Sequence, residues 1–557
     1  MTEEEQLNHD IETLVGTPKR ELALGGAFEG ADRFSRKIAA WNPTLQSADA
    51  EILPDKSILD ARALDLGRND AYIQSGANLQ RDSIVGSLYF LNARPSYSVL
   101  GKDEKWAEAF QQEVEAKFTL WAESPQCWVD ASRKNTLTQL VRLVVGISVF
   151  SGEALATVEW MPAKGRDYRT AIQLIDVARM STPPEHQSDP NIRGGIRQDR
   201  YGAAISAFIR VQHPYEYRMF LPSSGDWWKE VAFRKPWGRE MVLYVQEQRR
   251  AAQTRAVSTL TAALRELQII RKFRDVTLQN AVLNASYAAT IESELPAEVV
   301  FAQLGQGQDY TEALQNYANA YMGEITSYAA GAKNLHMDGA RIPHLYPGTK
   351  FQLRPAGTPG GVGEGFEASL LRYVAATLDI SYEELSRDYT QTNYSSARAA
   401  MLATWRAMSA KKAGIADRFA SSVYRLWLEE AINNDRLDTF GSSEAAMLYT
   451  DGYQNTMFDA LSSCDWIGAS RGQIDELKET QAAALRISMG LSTREIELAR
   501  LGQDWRKVFA QLEREQKELE ARKIVLTGND KMMNATQGTP REPDDTEEPA
   551  KGRSNAV

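Results

Sequence analysis

The chain has 557 residues, 43% of them hydrophobic and 25% charged, with a formal net charge of −10 at pH 7; this is the profile of a globular protein with a sizeable core and room for several domains. So mild an acidic balance excludes a protein that grips nucleic acid over its whole surface, since neutralising phosphates takes concentrated Lys and Arg. Two cysteines, Cys127 and Cys464, are too few for a disulfide framework and fit a reducing cytoplasm, and no run approaches the roughly 18 apolar residues of a membrane span.

Residues 1–35 are polar, acidic at the start and loosely patterned, and read as a flexible segment without a signal peptide. Apolar positions Ala61, Leu64, Ala71, Ile73, Ala77 and Ile84 predict a helix over 57–85. A clearer one covers 103–123, where Trp106, Phe110, Val114, Phe118 and Trp121 recur every three or four residues behind Asp103 and Glu104. A third is expected over 135–147. Residues 146–247 then turn β-rich, with short strands at 149–160, 170–177, 203–212 and 240–247 between turn clusters. Trp227, Trp228 and Trp237 sit among turn residues there and read as loop packing.

Helical pattern returns over 253–286, carried by Leu260, Leu264, Leu267, Phe273, Leu278 and Val282. Its polar faces are basic, with Arg255, Arg265, Arg271, Lys272 and Arg274, and read either as a solvated face or as an assembly or DNA-facing helix. Beyond Pro296 lie a helix around 308–330, a strand pair within 339–357 and a glycine-rich linker at 357–366. A second helix at 366–379 shows a stripe of Phe366, Leu370, Tyr373, Val374, Thr377 and Leu378. The polar stretch 386–396 follows, holding Arg387, Tyr389, Thr392, Asn393, Tyr394 and Ser395. It launches a long helix over 397–432 whose apolar residues Met401, Trp405, Met408, Ile415, Phe419, Val423 and Leu426 step by four, three and seven. Lys412 interrupts that face by snorkelling to its edge. Residues 470–526 are helical again, and 527–557 have the composition of a disordered tail.

Catalytic signatures are missing. No stretch spells a phosphate-binding loop. GASRG at 468–472 has the lettering of a nucleophile elbow, but no His follows His344. Neither HExxH nor CxxC occurs. The chain reads as non-catalytic, with no metal and no cofactor.

The sequence resembles the portal proteins of tailed phages, specifically the lambda-type family. The resemblance is carried by AAWNP (39–43), NDAYIQSGANLQRDSIVGS (69–87), YAATIESEL (287–295), ARIPHL (340–345), FEASLLRYVAATLDISYEELSRDYTQTNYSSARA (366–399), WLEEAI (427–432) and CDWIGASRGQIDELKE (464–479). It implies an α+β, mainly helical portal fold. The wing would span 36–252, the first stem helix 253–286, the clip 287–357, and a linker with the second stem helix 358–380. The tunnel loop would be 381–396, the long helix and wing return 397–465, the crown 466–526, and the tail 527–557. It also implies a homododecameric ring at a unique vertex of the virion capsid, assembled in the host cytoplasm, whose N-terminal stretch is lost to a head protease. Double-stranded DNA would pass through the axis during packaging and ejection. The implied partners are the terminase large subunit, a head-completion or adaptor protein, and the major capsid and scaffold proteins, with no membrane. Two other readings are a motor or nuclease subunit of the packaging machine, and a non-portal scaffolding or adaptor protein.

The polar loop suits a channel on physical grounds. DNA carries one charge per ~1.7 Å of axis, so a wall of Lys and Arg would hold it fast. Hydroxyls and amides make weaker, replaceable contacts with phosphates.

Overall fold

The computed structural model describes residues 40–216, 227–286, 362–390, 392–470 and 476–524, with isolated positions elsewhere. The N-terminal segment, most of the expected clip and the C-terminal tail lie outside the described residues.

Two helices, α1 (Ala48–Asn69) and α2 (Ala71–Ile84), replace the single one expected over 57–85. The break is at Asp70, whose backbone is extended and whose Oδ1 accepts from the N–H groups of Tyr72 and Ile73 at 3.0 and 3.1 Å. A short carboxylate that satisfies the free donors of the next helix outcompetes continuation of the first. After β1 (Phe90–Ala93), α3 (Glu104–Ala122) starts at Asp103 as read, and α4 (Leu137–Ser151) starts at a Thr136/Gln139 capping box. Gly152 ends α4 at φ 76°, where a Cβ would come within 2.1 Å of the Val257 carbonyl oxygen.

The β-rich region holds two antiparallel sheets. One has the order β3-β2-β8, from β2 (Glu153–Trp160), β3 (Thr170–Ile175) and β8 (Val242–Gln246). The other runs β4-β5-β6-β7, from β4 (Ile192–Arg193), β5 (Ile196–Gln198), β6 (Ala204–Arg210) and β7 (Trp228–Ala232). Leu155, Ile175, Ile196, Ala207, Ile209 and Val242 close a small core of their own. Strands β4, β5 and β7 were not foreseen because two to five residues among Gly, Pro and charges carry no legible alternation.

Segment 247–258 is irregular, not helical, and it leads through a 3₁₀ turn into α5 (Leu264–Ser286). Arg255 therefore leaves the basic face assigned to it. It is buried, donating from Nε to Glu153 Oε1 at 2.8 Å and from Nη1 to the carbonyls of Met180 and Gly194. Lys56 adds a second cation 3.2 Å from Glu153 and 3.0 Å from Asp60. Burial works to raise the Glu153 carboxyl, but Arg255 and Lys56 hold it down at about 2. For Asp60 burial wins over Lys56, and its carboxyl is pushed up to about 6.

A short hairpin, β9 (Leu335–Met337) and β10 (Ala340–Ile342), precedes α6 (Val362–Thr377), α7 (Tyr382–Ser386) and α8 (Tyr394–Lys411). A π-helical turn, Lys412–Asp417, joins α8 to α9 (Arg418–Asn433). The large core gathers Phe110, Phe118, Val144, Phe419, Tyr424 and Trp427 from α3, α4 and α9. A β11–β12 hairpin (Tyr449–Thr450, Tyr453–Gln454) and α10 (Thr456–Leu461) lead to β13 (Cys464–Ile467), which pairs antiparallel with β1 across most of the chain length. Three helices follow, α11 (Glu476–Ser488), α12 (Arg494–Arg500) and α13 (Trp505–Ala521). The fold is mixed α+β and mainly helical.

Candidate functional site

The polar loop is shorter than its sequence suggested, because both flanks are helical. At one end Ser381 caps α7, and Glu384 closes the box: Glu384 N–H donates to Ser381 Oγ, and Ser381 N–H donates back to Glu384 Oε2, each at 3.2 Å. Glu384 Oε2 also accepts from Thr404 Oγ1 at 2.6 Å, which ties α7 to α8. Arg387 terminates α7 in the left-handed region, φ 60°. At the other end Asn393 caps α8, with Ser396 N–H donating to Asn393 Oδ1 at 2.8 Å and Asn393 N–H donating to Ser396 Oγ at 3.2 Å. Tyr394 and Ser395, read as loop, are the first residues of α8.

What remains open is 387–390 with Thr392 and Asn393, Gln391 lying outside the described residues. Arg387, Asp388, Tyr389, Thr390 and Asn393 are exposed. The backbone is folded on itself: Asp388 Oδ1 accepts from the N–H and the hydroxyl of Thr390 at 3.0 and 2.7 Å, and Thr392 N–H donates to the Tyr389 carbonyl. Those Thr390 bonds hold the Asp388 carboxyl below its usual range. Asp388 thus spends its charge within the loop and does not pair with Arg387. Sequence reasoning missed the anchors Ser381, Glu384, Thr404 and Ser396, although Ser-x-x-Glu and Asn-x-x-Ser are legible capping spellings.

The basic helix divides. Arg271 reaches Asp65 at 3.4 Å. Arg274 donates from Nε to Glu367 Oε1 at 2.9 Å and lies over Tyr72, which binds α5 to α6 and α2. Arg265 and Lys272, seven residues apart, are exposed on the outer side, one face of two helical turns. Ile269 and Val276 lie on that same side and are also exposed. On α6 the expected stripe splits. Val374 and Leu378 are buried together with Leu371 and Ala375, whereas Phe366 and Tyr373 are about half exposed. Six positions spread too far around a helix for all of them to face one core. Phe366 still touches Phe273 of α5, with ring centres 5.3 Å apart.

GASRG does follow a strand, β13, but a Cβ on Gly468 would lie 2.6 Å from the Ile84 carbonyl oxygen. The turn is therefore packed against the end of α2. Trp228, which opens β7 and not a loop, donates to Ser181 Oγ, and Trp237 donates to Glu429, so both indoles are packed within the chain. Among the described residues no cluster of His, Cys, Asp or Glu is placed to hold a metal, and no helix is long and apolar enough to cross a membrane.

Comparison with known proteins adds the identity of the scaffold. Residues 34–412 match the family described as phage portal protein, lambda family. Portal protein B of Escherichia phage lambda is 36% identical over 517 residues, covering 92% of this chain and 93% of that protein. The portal protein of Escherichia phage N15 is 35% identical over 515 residues, covering 92% and 94%. A chain from the neck of an empty GTA particle superposes with a TM-score of 0.39 at 11% identity, over 79% of this chain and 93% of that one; at that level the likeness decides nothing about function. The motor and scaffolding readings give way to the two near-complete matches, both to portal proteins. The chain belongs to the lambda family of phage portal proteins, a structural and non-enzymatic component of the phage capsid.

Proposed function

We propose that this portal protein closes into a homododecameric ring at one capsid vertex and conducts double-stranded DNA through its axis in packaging and in ejection. The observation that carries this reading is the loop 387–393. It leaves α7 at the left-handed Arg387 and ends in the Asn393/Ser396 capping box, and its backbone is tied to itself. Its exposed side chains are hydroxyls, an amide, one guanidinium and the Asp388 carboxylate, which is bonded to Thr390. A collar of such loops would touch phosphates through short-lived, water-mediated contacts and would leave the duplex free to slide.

In this reading α5 and α6 are the stem, the two sheets belong to the wing, and α11–α13 form the crown. The outward face of Arg265, Ile269, Lys272 and Val276 turns to a neighbouring copy or to the channel. The terminase large subunit docks on the ring first and head-completion or adaptor proteins later, with the major capsid and scaffold proteins around it, during assembly in the host cytoplasm. The test is electron microscopy of the purified full chain followed by a packaging assay. Closed rings with a central hole are expected, and a population without them would overturn the reading. Replacing Tyr389 and Thr390 with Ala should leave rings intact while DNA packaging or retention falls; unchanged packaging would remove the loop from the channel.

A further inference from the structure

Residues 394–433 run as one helical rod, but not as one kind of helix. Between α8 and α9 lies the π turn Lys412–Asp417. Such a turn is a bulge in an α-helix, holding one residue more than the α winding needs; π winding is rare overall and such bulges are frequent at functional sites. Its two ends are joined by an ion pair, Lys412 Nζ to Asp417 Oδ1 at 2.7 Å. Residues five apart in an α-helix point about 140° away from each other; the i→i+5 winding brings them to one side.

The pair is also held from outside the rod. Tyr89 Oη donates to Asp417 Oδ1, and Lys412 Nζ donates to the Trp466 carbonyl at 2.8 Å. Tyr89 and Trp466 are themselves stacked, with ring centres 5.5 Å apart, and Lys412 Nζ sits 5.3 Å from the Tyr89 ring. The latch is thus made by residues beside β1 and on β13.

The helices on either side are packed unequally. Among its described side chains α8 buries Thr404 and Met408, whereas α9 buries eleven residues from Phe419 to Ile432. In the middle of the turn stands Gly414, where an added Cβ would meet nothing within 4 Å. Among the described residues no packing demand explains a glycine there, and its effect is to weaken helical winding by about 1 kcal/mol relative to Ala.

We infer that residues 412–417 are a register joint. While Lys412 and Asp417 are paired, α8 is held in the observed register. When they part, the turn relaxes to α-helix, and α8 rotates by about 100° and shifts by about 1.5 Å relative to α9, carrying the loop 387–393 with it. What opposes the move is the Thr404–Glu384 hydrogen bond, the Lys411–Asp379 ion pair at 2.9 Å and the seats of Ala407 and Met408 against the core.

Hydrogen exchange and cryo-electron microscopy of the assembled full chain test the joint through two variants. Deleting Gly414 removes the stored residue, so α8 should keep its position on a continuous α-helix. Amides 409–418 should then exchange at least about tenfold more slowly than in the unaltered protein. Asp417→Asn weakens the latch, so 394–418 should exchange about tenfold faster while 420–432 stay unchanged. The inference is overturned if the deletion rotates α8 or prevents assembly, if the unaltered joint exchanges as slowly as 420–432, or if Asp417→Asn has no local effect. No readout involves DNA, so the joint and the channel reading fail separately.

Discussion

Glu153 has no exposed surface and balances two buried cations, Lys56 and Arg255. Removing that carboxylate leaves both charges in the interior, a change that costs about 3–5 kcal/mol. Glu153→Ala is therefore expected to lower the thermal midpoint sharply or to abolish soluble protein. Asp60 behaves oppositely. Burial pushes its carboxyl from 3.8 up to about 6, so the folded state binds this proton more tightly than the unfolded chain does. Its contribution to stability is present below the unfolded value and lost as pH rises through about 6. Asp60→Asn should accordingly stabilise the protein near neutral pH, on the order of 1–2 kcal/mol. That advantage should shrink as pH falls between about 6 and 4. Thermal melts of both proteins across that range check it, and a gap that widens on acidification would contradict it.

At the level of elements, the loop depends on its caps. Asn393→Ala removes the acceptor for Ser396 N–H and should cost about 1 kcal/mol of local helix stability. The expected sign is faster exchange of the first-turn amides of α8, with α9 unaffected. Thr404→Val should loosen α7 from α8 by removing the donor to Glu384, which faster exchange over 382–386 would report. Element types were largely legible here: the caps are spelled in short motifs, and the long helix shows its apolar spacing. The π turn was not. A step of seven between Met408 and Ile415 fits two α turns, and the ion pair that selects π winding depends on Tyr89 and Trp466, distant in sequence.

For the whole molecule, the C-terminal helices are tied to the rest by surface contacts, Arg506 to Gln111 at 2.7 Å and Arg94 to Glu495 at 2.9 Å, and not by a shared apolar core. Neither α11 nor α13 buries a side chain, and Leu477, Leu485, Met489 and Leu491 are all more than half exposed. Apolar surface of this kind is where a ring would bury area between copies. Leu485→Asp combined with Leu491→Asp should leave the helical content of the chain unchanged while reducing the fraction of closed rings in micrographs. Equal ring yields would place these helices outside the subunit interface.

The sequence by itself determined the order and type of most elements, the lack of catalytic motifs and the portal family, because periodicity, capping and motif spelling act over a few residues. Only the tertiary structure decided which charges are surface and which are core. Arg255 and Glu153 meet across 102 positions, and Lys56 reaches the Ala256 carbonyl across 200. It also decided that Arg271 and Arg274 are held within the chain while Arg265 and Lys272 face outward. Pairing over such separations is set by where the fold brings elements together, and no local pattern encodes it.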